Sequence, residues 1–418
     1  MNRILILTVI SLLFYSCTKE EYDNDESWGG KSIANQFRSF DEALSIAQEA
    51  GLMFHRDVDT QNHTLTSRKT LPTKLISNKD FNVICYHKKN NIIDNDTLLY
   101  VFNYENKNGF AIISASKSTE GLLAITESGC YDELSNNDYL EYYIVLAKNY
   151  VIRSHGDGGM EPLIPVYTSD TTITEVEPLI SVKWGQEYPE GIYCPNGLSG
   201  CVNTAMAQIL SYYEYPQDID LTYDNAGINN QLLDWTEIKK HVYYFPIIPF
   251  GGHLYCTAND SAHHALGRLC RQLGEMNNSI YEDSGTSTLT MFYVKPTFQS
   301  LGYNCNDWTR YNNGMSKLFL DEGHPLFFRG EDSLNGGHAW VVDGYKKLDI
   351  RRTYFTGEIQ YRTLFFNHLN WGWNGAMNGY YLDNVFDTSR YYTLDPSPYS
   401  GGETYNYDCY VNFIVPTL

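Results

Sequence analysis

Basic residues are scarce in this sequence: 30 lysines and arginines stand against 50 aspartates and glutamates, a formal charge of −20. Such a surface repels phosphate backbones and anionic lipid headgroups, which excludes nucleic acid as a partner. Paired CxxC motifs are missing. The nine cysteines, at 17, 85, 130, 194, 201, 256, 270, 305 and 409, are scattered, so the chain spells neither a zinc module nor a dithiol redox motif. The apolar run from Ile4 to Tyr15 is too short to cross a bilayer and is no anchor by itself. Internal repeats and low-complexity blocks are absent, which excludes a solenoid or a repeat array. What is present suits folded cores: 418 residues, 43% hydrophobic and 15% aromatic, are enough for two globular domains.

The N-terminus reads as an export signal, with Arg3 ahead of the apolar run and Ser16-Cys17 at its end. A small residue followed by cysteine is similar to a bacterial lipoprotein cleavage site. Residues 1–17 are then a signal peptide, and Cys17 receives lipid as the first residue of the mature chain; ordinary cleavage nearby, with release, is the alternative. Lys19, Glu20, Glu21, Asp23, Asp25 and Glu26 fall in a solvated tether over 18–35, and similar acidic tracts accompany surface display in some Gram-negative lipoproteins. The expected location is therefore the outer membrane or cell surface, or the medium after release, with the membrane reached only through lipid on Cys17.

A first folded unit spans 36–150. Ser39 with Glu42 forms a capping-box pattern, and Phe40, Ala43, Leu44 and Ala47 recur at helical spacing up to Gly51. Leu98 to Phe102 and Phe110 to Ala115 flank turn-forming residues, which predicts a hairpin and a small α+β domain. Over 151–180 the composition shifts to Gly156, Gly158, Gly159, Pro162 and Pro165, then a threonine-rich acidic stretch. This is expected to be an exposed linker open to proteolysis. The remainder, 181–418, mixes helical and strand patterns.

Three segments of that remainder carry chemistry. Ser199-Gly200-Cys201 opens a helix whose Val202, Ala205, Met206, Ile209, Leu210 and Tyr213 share one face. A cysteine at a helix N-terminus meets unpaired N–H groups and the positive end of the macrodipole, which favour the nucleophilic thiolate. Gly336-Gly337-His338-Ala339-Trp340 opens a strand, its glycines leaving room for a peptide backbone beside the imidazole. Asn370-Trp371-Gly372-Trp373-Asn374-Gly375 follows an apolar strand; an asparagine oxygen can accept from imidazole Nδ1–H, and an indole can shield that bond from water. Taken singly, the cysteine reads equally as a packing residue and the histidine as a structural one.

Together and in this order, these segments resemble the streptopain family of cysteine peptidases, within the papain-like clan. The resemblance implies a papain-like α+β fold, a helical part plus an antiparallel sheet, preceded by a small α+β propeptide. The strand pair Tyr100 to Tyr104 and Gly109 to Ser114 is similar to the family's inhibitory propeptide. It implies further that Cys201 is nucleophile, His338 general base and then acid, and that Asn370 and Trp371 hold the imidazole. Gln186, in Trp184-Gly185-Gln186, corresponds to the oxyanion-hole glutamine, while Gly337 and Thr286 would bind substrate backbone. A side-chain amide beside the Cys201 N–H suits the charge developing on a scissile carbonyl. Polypeptide substrates, the chain's own propeptide as inhibitor, and no cofactor follow from the same resemblance.

Setting Cys17 aside for lipid and Cys201 for catalysis leaves seven cysteines, an odd number, expected mostly as buried thiols. Cys256, His263, His264 and Cys270 are a conceivable metal cluster, but Ala262, Ala265, Leu266, Leu269 and Leu273 make that stretch an amphipathic helix, so no metal is expected. The 35 tyrosines suit packing and interfaces as well as carbohydrate. Two rivals remain: an amidase or transpeptidase using the same Cys-His chemistry, and an inactive surface adhesin or inhibitor on a protease fold.

Overall fold

The computed structural model describes residues 37–54, 81–87, 95–131, 137–154, 166–223, 227–241, 258–332, 336–354, 356–387 and 410–418. The expectations for the signal segment, Cys17 and the 18–35 tether lie outside these residues, as do Cys256 and Cys409. Within the described residues, no helix is long and apolar enough to cross a membrane.

The first helix, α1 (Phe40–Phe54), starts where the capping box predicts. The Ser39 N–H donates to Glu42 Oε2 at 2.7 Å, and the Glu42 N–H donates to Ser39 Oγ at 3.2 Å, so each residue satisfies an orphan donor of the other. Gly51 does not end the helix as its position suggests. It lies inside, where a Cβ would come within 3.0 Å of the Tyr104 ring; the helix keeps it for close approach and runs on to Phe54. The buried stripe of α1 covers a sheet of β1 (Phe81–His87), β2 (Asn95–Asn103), β3 (Phe110–Ser114) and β4 (Leu122–Thr126). The expected hairpin is β2 with β3, in the register Leu99 to Ser114 and Asn103 to Phe110. Helix α2 (Asp138–Ser154) packs against β2.

The 151–180 segment corrects the sequence reading. Val166–Val176 is an 11-residue strand, β5, paired antiparallel with a long strand of the C-terminal region from Tyr345↔Val176 to Tyr354↔Val166. Its threonines and valines, read as polar linker, are β-branched residues that favour a pleated surface. What remains between helix and strand is 155–165, outside the described residues.

The C-terminal region contains helices α3 (Cys201–Tyr213), α4 (Trp235–Ile238), α5 (Asp260–Met276), α6 (Thr290–Ser300) and α7 (Met315–Asp321). Its main strands are β12 (Leu326–Asp332), β13 (Gly336–Tyr354), β14 (Ile359–Asn370), β15 (Gly379–Leu382) and β16 (Tyr410–Ile414). Short pairs complete it: β6 (Asp218–Asp220) with β7 (Asn230–Leu232), β8 (Ile280–Glu282) with β9 (Gly285–Ser287), and β10 (Asn304–Cys305) with β17 (Pro416–Thr417). Strand β11 (Thr309–Arg310) pairs β16.

The N-terminal sheet does not stop at its own domain. β4 pairs β15 in the register Thr126 to Gly379 and Ala124 to Tyr381, giving one sheet in the order β1-β2-β3-β4-β15-β14-β13-β12-β16-β11, with β5 on the second edge of β13. Two hydrophobic cores lie on it. One joins α1, α2 and β2 to β4 with Trp340, Val342, Trp371, Tyr381 and their neighbours. The other gathers α3, α5 and Trp184 under Ala339 and Val341. Alternation along β13 thus assigns 340 and 342 to the first core and 339 and 341 to the second.

Candidate active site

Cys201 occupies the first turn of α3, half-buried and packed against both cores. Gly200 before it has φ +84°, a left-handed conformation suited to glycine, and a Cβ there would come within 2.8 Å of Thr286 Cγ2. The chain enters the helix through this glycine, which places Cys201 at the positive end of the α3 dipole. One expectation needs correcting: α3 buries more than one face, because Asn203, Thr204, Gln208 and Ser211 are buried along with the apolar residues. Each has partners. Asn203 Nδ2 donates to Ser199 O at 2.8 Å, Thr204 Oγ1 to Gly185 O at 2.9 Å, and Gln208 Nε2 to Asn370 Oδ1 at 2.9 Å.

These polar residues fasten the loop that carries Gln186. The Gln186 carbonyl accepts from the Ser199 N–H at 2.8 Å and from Ser199 Oγ at 3.2 Å, and the Asn374 N–H donates to Trp184 O at 3.2 Å. Gln186 itself is buried at 9% exposure. The loop leans on Glu190, fully buried, whose Oε1 accepts the Gly185 N–H at 3.1 Å. His241 Nε2 stands 3.8 Å from the same oxygen. That spacing would suit an ion pair, yet burial pushes Glu190 up to about 8 and draws His241 down to about 4, so at neutral pH both are predominantly uncharged.

His338 opens the inner part of β13 opposite Gly330 of β12, half-buried, with exposed Gly337 before it. The Tyr142 ring of α2 meets His338 edge to face at 5.6 Å between centroids and tilts against Trp340 at 5.9 Å. Gly330 makes this possible, since a Cβ there would lie 2.0 Å from Tyr142 Oη. Trp340 tilts against Trp371 at 5.0 Å, and Trp371 meets Tyr381 at 5.6 Å, so buried Trp371 stands in the aromatic wall behind the histidine strand.

Asn370 departs from its expected role. Its Oδ1 accepts from Gln208 Nε2 and from the Gly372 N–H at 3.2 Å, and its Nδ2 donates to Val182 O at 2.9 Å, so it ties α3 to the turn instead of holding the His338 imidazole. The register explains this, because Asn370 pairs with Val341, three residues beyond His338. Thr286 lies beside Gly200, but its hydroxyl donates to Leu198 O at 2.8 Å and accepts from Asn196 Nδ2 at 3.1 Å, holding the loop before Cys201. His263 and His264 of α5 face Tyr188 and Tyr193, and Cys270 is buried; among the described residues no group of three or more His, Cys, Asp or Glu is arranged for a metal ion.

An ionic group joins β14, β13 and the end of β4. His368 Nδ1 lies 2.6 Å from Asp343 Oδ1, and its Nε2 3.3 Å from Glu127 Oε1, just after β4. Burial opposes charge on His368, but the two carboxylates prevail and push it up to about 10. Burial likewise opposes charge on Glu127, yet His368 and Lys183 hold it down to about 2. Sequence reasoning missed Glu190, Gln208, Tyr142 and this pair; for Gln208 the signal was at hand, a polar residue amid the apolar spacing of α3.

A cysteine at the start of a helix packed on the sheet strand that carries a histidine, with a buried amide-bearing loop tied to that helix, suits a papain-like α+β fold. The Peptidase C10 family matches residues 184–381, and the Spi protease inhibitor family matches residues 39–151. Together these matches support the streptopain family of cysteine peptidases, with an inhibitor-type domain ahead of the peptidase domain. It is 25% identical to streptopain of Streptococcus pyogenes, over 70% of this chain and 75% of that protein. It is 23% identical to the thiol protease/hemagglutinin PrtT of Porphyromonas gingivalis, over 70% of this chain but only 34% of that protein's length. Prointerpain A of Prevotella intermedia aligns with 80% of this chain at 19% identity and a TM-score of 0.48.

Proposed function

We propose that this chain is the latent precursor of an exported cysteine endopeptidase, with Cys201 as nucleophile and the N-terminal domain as its built-in inhibitor. The observation that carries the reading is the Tyr142 ring of the inhibitor-type domain, seated against His338 and over Gly330. A residue of the covering domain thus lies on the proposed general base.

In the active form, the Cys201 thiolate attacks the scissile carbonyl carbon, and the tetrahedral oxyanion is met by the Gln186 amide and the Cys201 N–H. The C–N bond breaks as His338 protonates the leaving amine. Water, deprotonated by His338, then cleaves the thioester and restores the thiolate. Gly337, exposed at the start of β13, leaves space for substrate backbone beside the histidine. Maturation is expected within 155–165, because β5 beyond it is paired into the peptidase sheet. Export, with lipid on Cys17, remains part of the proposal; retention of lipid label by wild type and its loss in Cys17→Ala would support it.

The test is incubation of the purified precursor, wild type and Cys201→Ala, under reducing conditions, following mass and casein cleavage together. Only wild type should shorten and gain activity. Equal activity in Cys201→Ala would sink the mechanism. If neither gains activity after the 155–165 segment is cut by an added protease, the non-catalytic surface-protein reading takes its place. Transfer to amine acceptors in preference to casein hydrolysis would favour the transpeptidase.

A further inference from the structure

Fully buried carboxyls are unusual unless partnered or functional. Glu190 sits in the loop between Trp184 and Gly200, four residues beyond Gln186, and nothing in the proposed chemical cycle uses it. Its Oε1 accepts the N–H of Gly185, the residue immediately before Gln186. The other anchors of that peptide come from different elements. Thr204 Oγ1, one turn into α3 from Cys201, donates to Gly185 O at 2.9 Å, and Ser199 donates twice to Gln186 O. Asn374 crowds the other side so closely that a Cβ on Gly185 would lie 2.3 Å from its Oδ1.

Gly185 is therefore held through both its N–H and its carbonyl, and Glu190 is the acceptor that meets the N–H. His241 stands behind the carboxyl, and its own backbone carbonyl accepts Trp184 Nε1 at 2.9 Å, so the Glu190 and His241 pair fixes the peptide stretch just ahead of Gln186. We propose that Glu190 is a positioning residue of the oxyanion hole: by holding the Gly185 N–H, it sets where the Gln186 amide stands relative to Cys201. The inference builds on the peptidase reading and adds to it a residue that touches neither substrate nor nucleophile.

Misplacing a catalytic donor by about an ångström costs on the order of a hundredfold in rate. The full chain, as wild type, Glu190→Ala and Glu190→Gln, is nicked between 155 and 165 by an added serine protease that is then blocked. Three quantities follow: kcat and KM on a peptide substrate, affinity for a peptidyl aldehyde whose hemithioacetal oxygen occupies the oxyanion hole, and the rate of Cys201 alkylation by iodoacetamide, which needs no oxyanion donor. Glu190→Ala should lower kcat about 10- to 100-fold with KM within about threefold, weaken the aldehyde by a similar factor, and leave alkylation within about twofold. Glu190→Gln keeps an acceptor for the Gly185 N–H and should recover most of the loss. The proposal is overturned if Glu190→Ala matches active wild type, if alkylation falls together with kcat, or if Glu190→Gln is as impaired as Glu190→Ala. An inactive wild type would instead refute the peptidase reading beneath it.

Discussion

The two hydrophobic cores divide this molecule differently from its two family matches. One core is entirely peptidase, built by α3, α5 and Trp184 beneath the sheet. The other is shared, joining the inhibitor-type domain to the aromatic face of the peptidase sheet through Tyr142, Tyr143, Trp340, Trp371 and Tyr381. Cys201 lies at the seam and packs against both. Cys201 and the Gln186 loop are organised by hydrogen bonds within the peptidase region, whereas the environment of His338 is set partly by the covering domain. On the proposed function, chemistry and latency are thus built on different sides of the seam.

The largest effect should come from the lobe that organises the chemistry. Gln186→Ala removes a side-chain donor from the oxyanion hole and should cost about 100- to 1,000-fold in kcat of the processed enzyme, with thiol alkylation unchanged. On the shared side, Tyr142→Ala empties the contact over Gly330 and against His338. Loss of so large a buried ring should cost about 3–5 kcal/mol in unfolding experiments, and the unprocessed chain should label faster at Cys201. If the unprocessed Tyr142→Ala chain labelled at Cys201 no faster than wild type, the covering domain would not govern access to the site.

The ionic contact between domains sharpens the comparison through pH. Glu127, held below its usual 4.5, contributes stability that is present above about pH 4.5 and lost as pH falls toward 2. His368, raised above 6.5, contributes stability that is present below about pH 6.5 and lost as pH rises toward 10. The contribution of the pair is therefore greatest between those limits. Glu127→Gln should lower that plateau, flatten the acid limb below about pH 4.5 and, with Glu127 about a third exposed, cost only about 1 kcal/mol. A pH–stability curve for the precursor checks both signs. The smallest effect is expected at Ser39→Ala, where loss of the cap on α1 should cost about 0.5–1 kcal/mol and leave the processed enzyme untouched.

What was legible in the sequence was local. The Ser39 and Glu42 box, the β2 to β3 hairpin and the helix at Cys201 each follow from residues a few positions apart. What was not legible depends on partners far along the chain. Strand β5 looked like linker because the edge of β13 that it pairs with lies nearly two hundred residues onward in sequence. The pairing of β4 with β15 has no trace in either strand alone. Asn370 was placed beside His338 by motif order, while the register sets it opposite Val341 and gives its side chain to Gln208. Glu190 escaped notice because no periodicity shows that a loop glutamate is buried.

The most direct test of the central claim is labelling of Cys201 by an epoxide warhead in the full-length chain, before and after removal of the N-terminal domain. The account predicts slow labelling of the intact precursor and rapid, stoichiometric labelling of Cys201 once that domain is gone, in step with casein cleavage. A Cys201 that stays unreactive after removal, or reacts equally fast before it, would contradict the account.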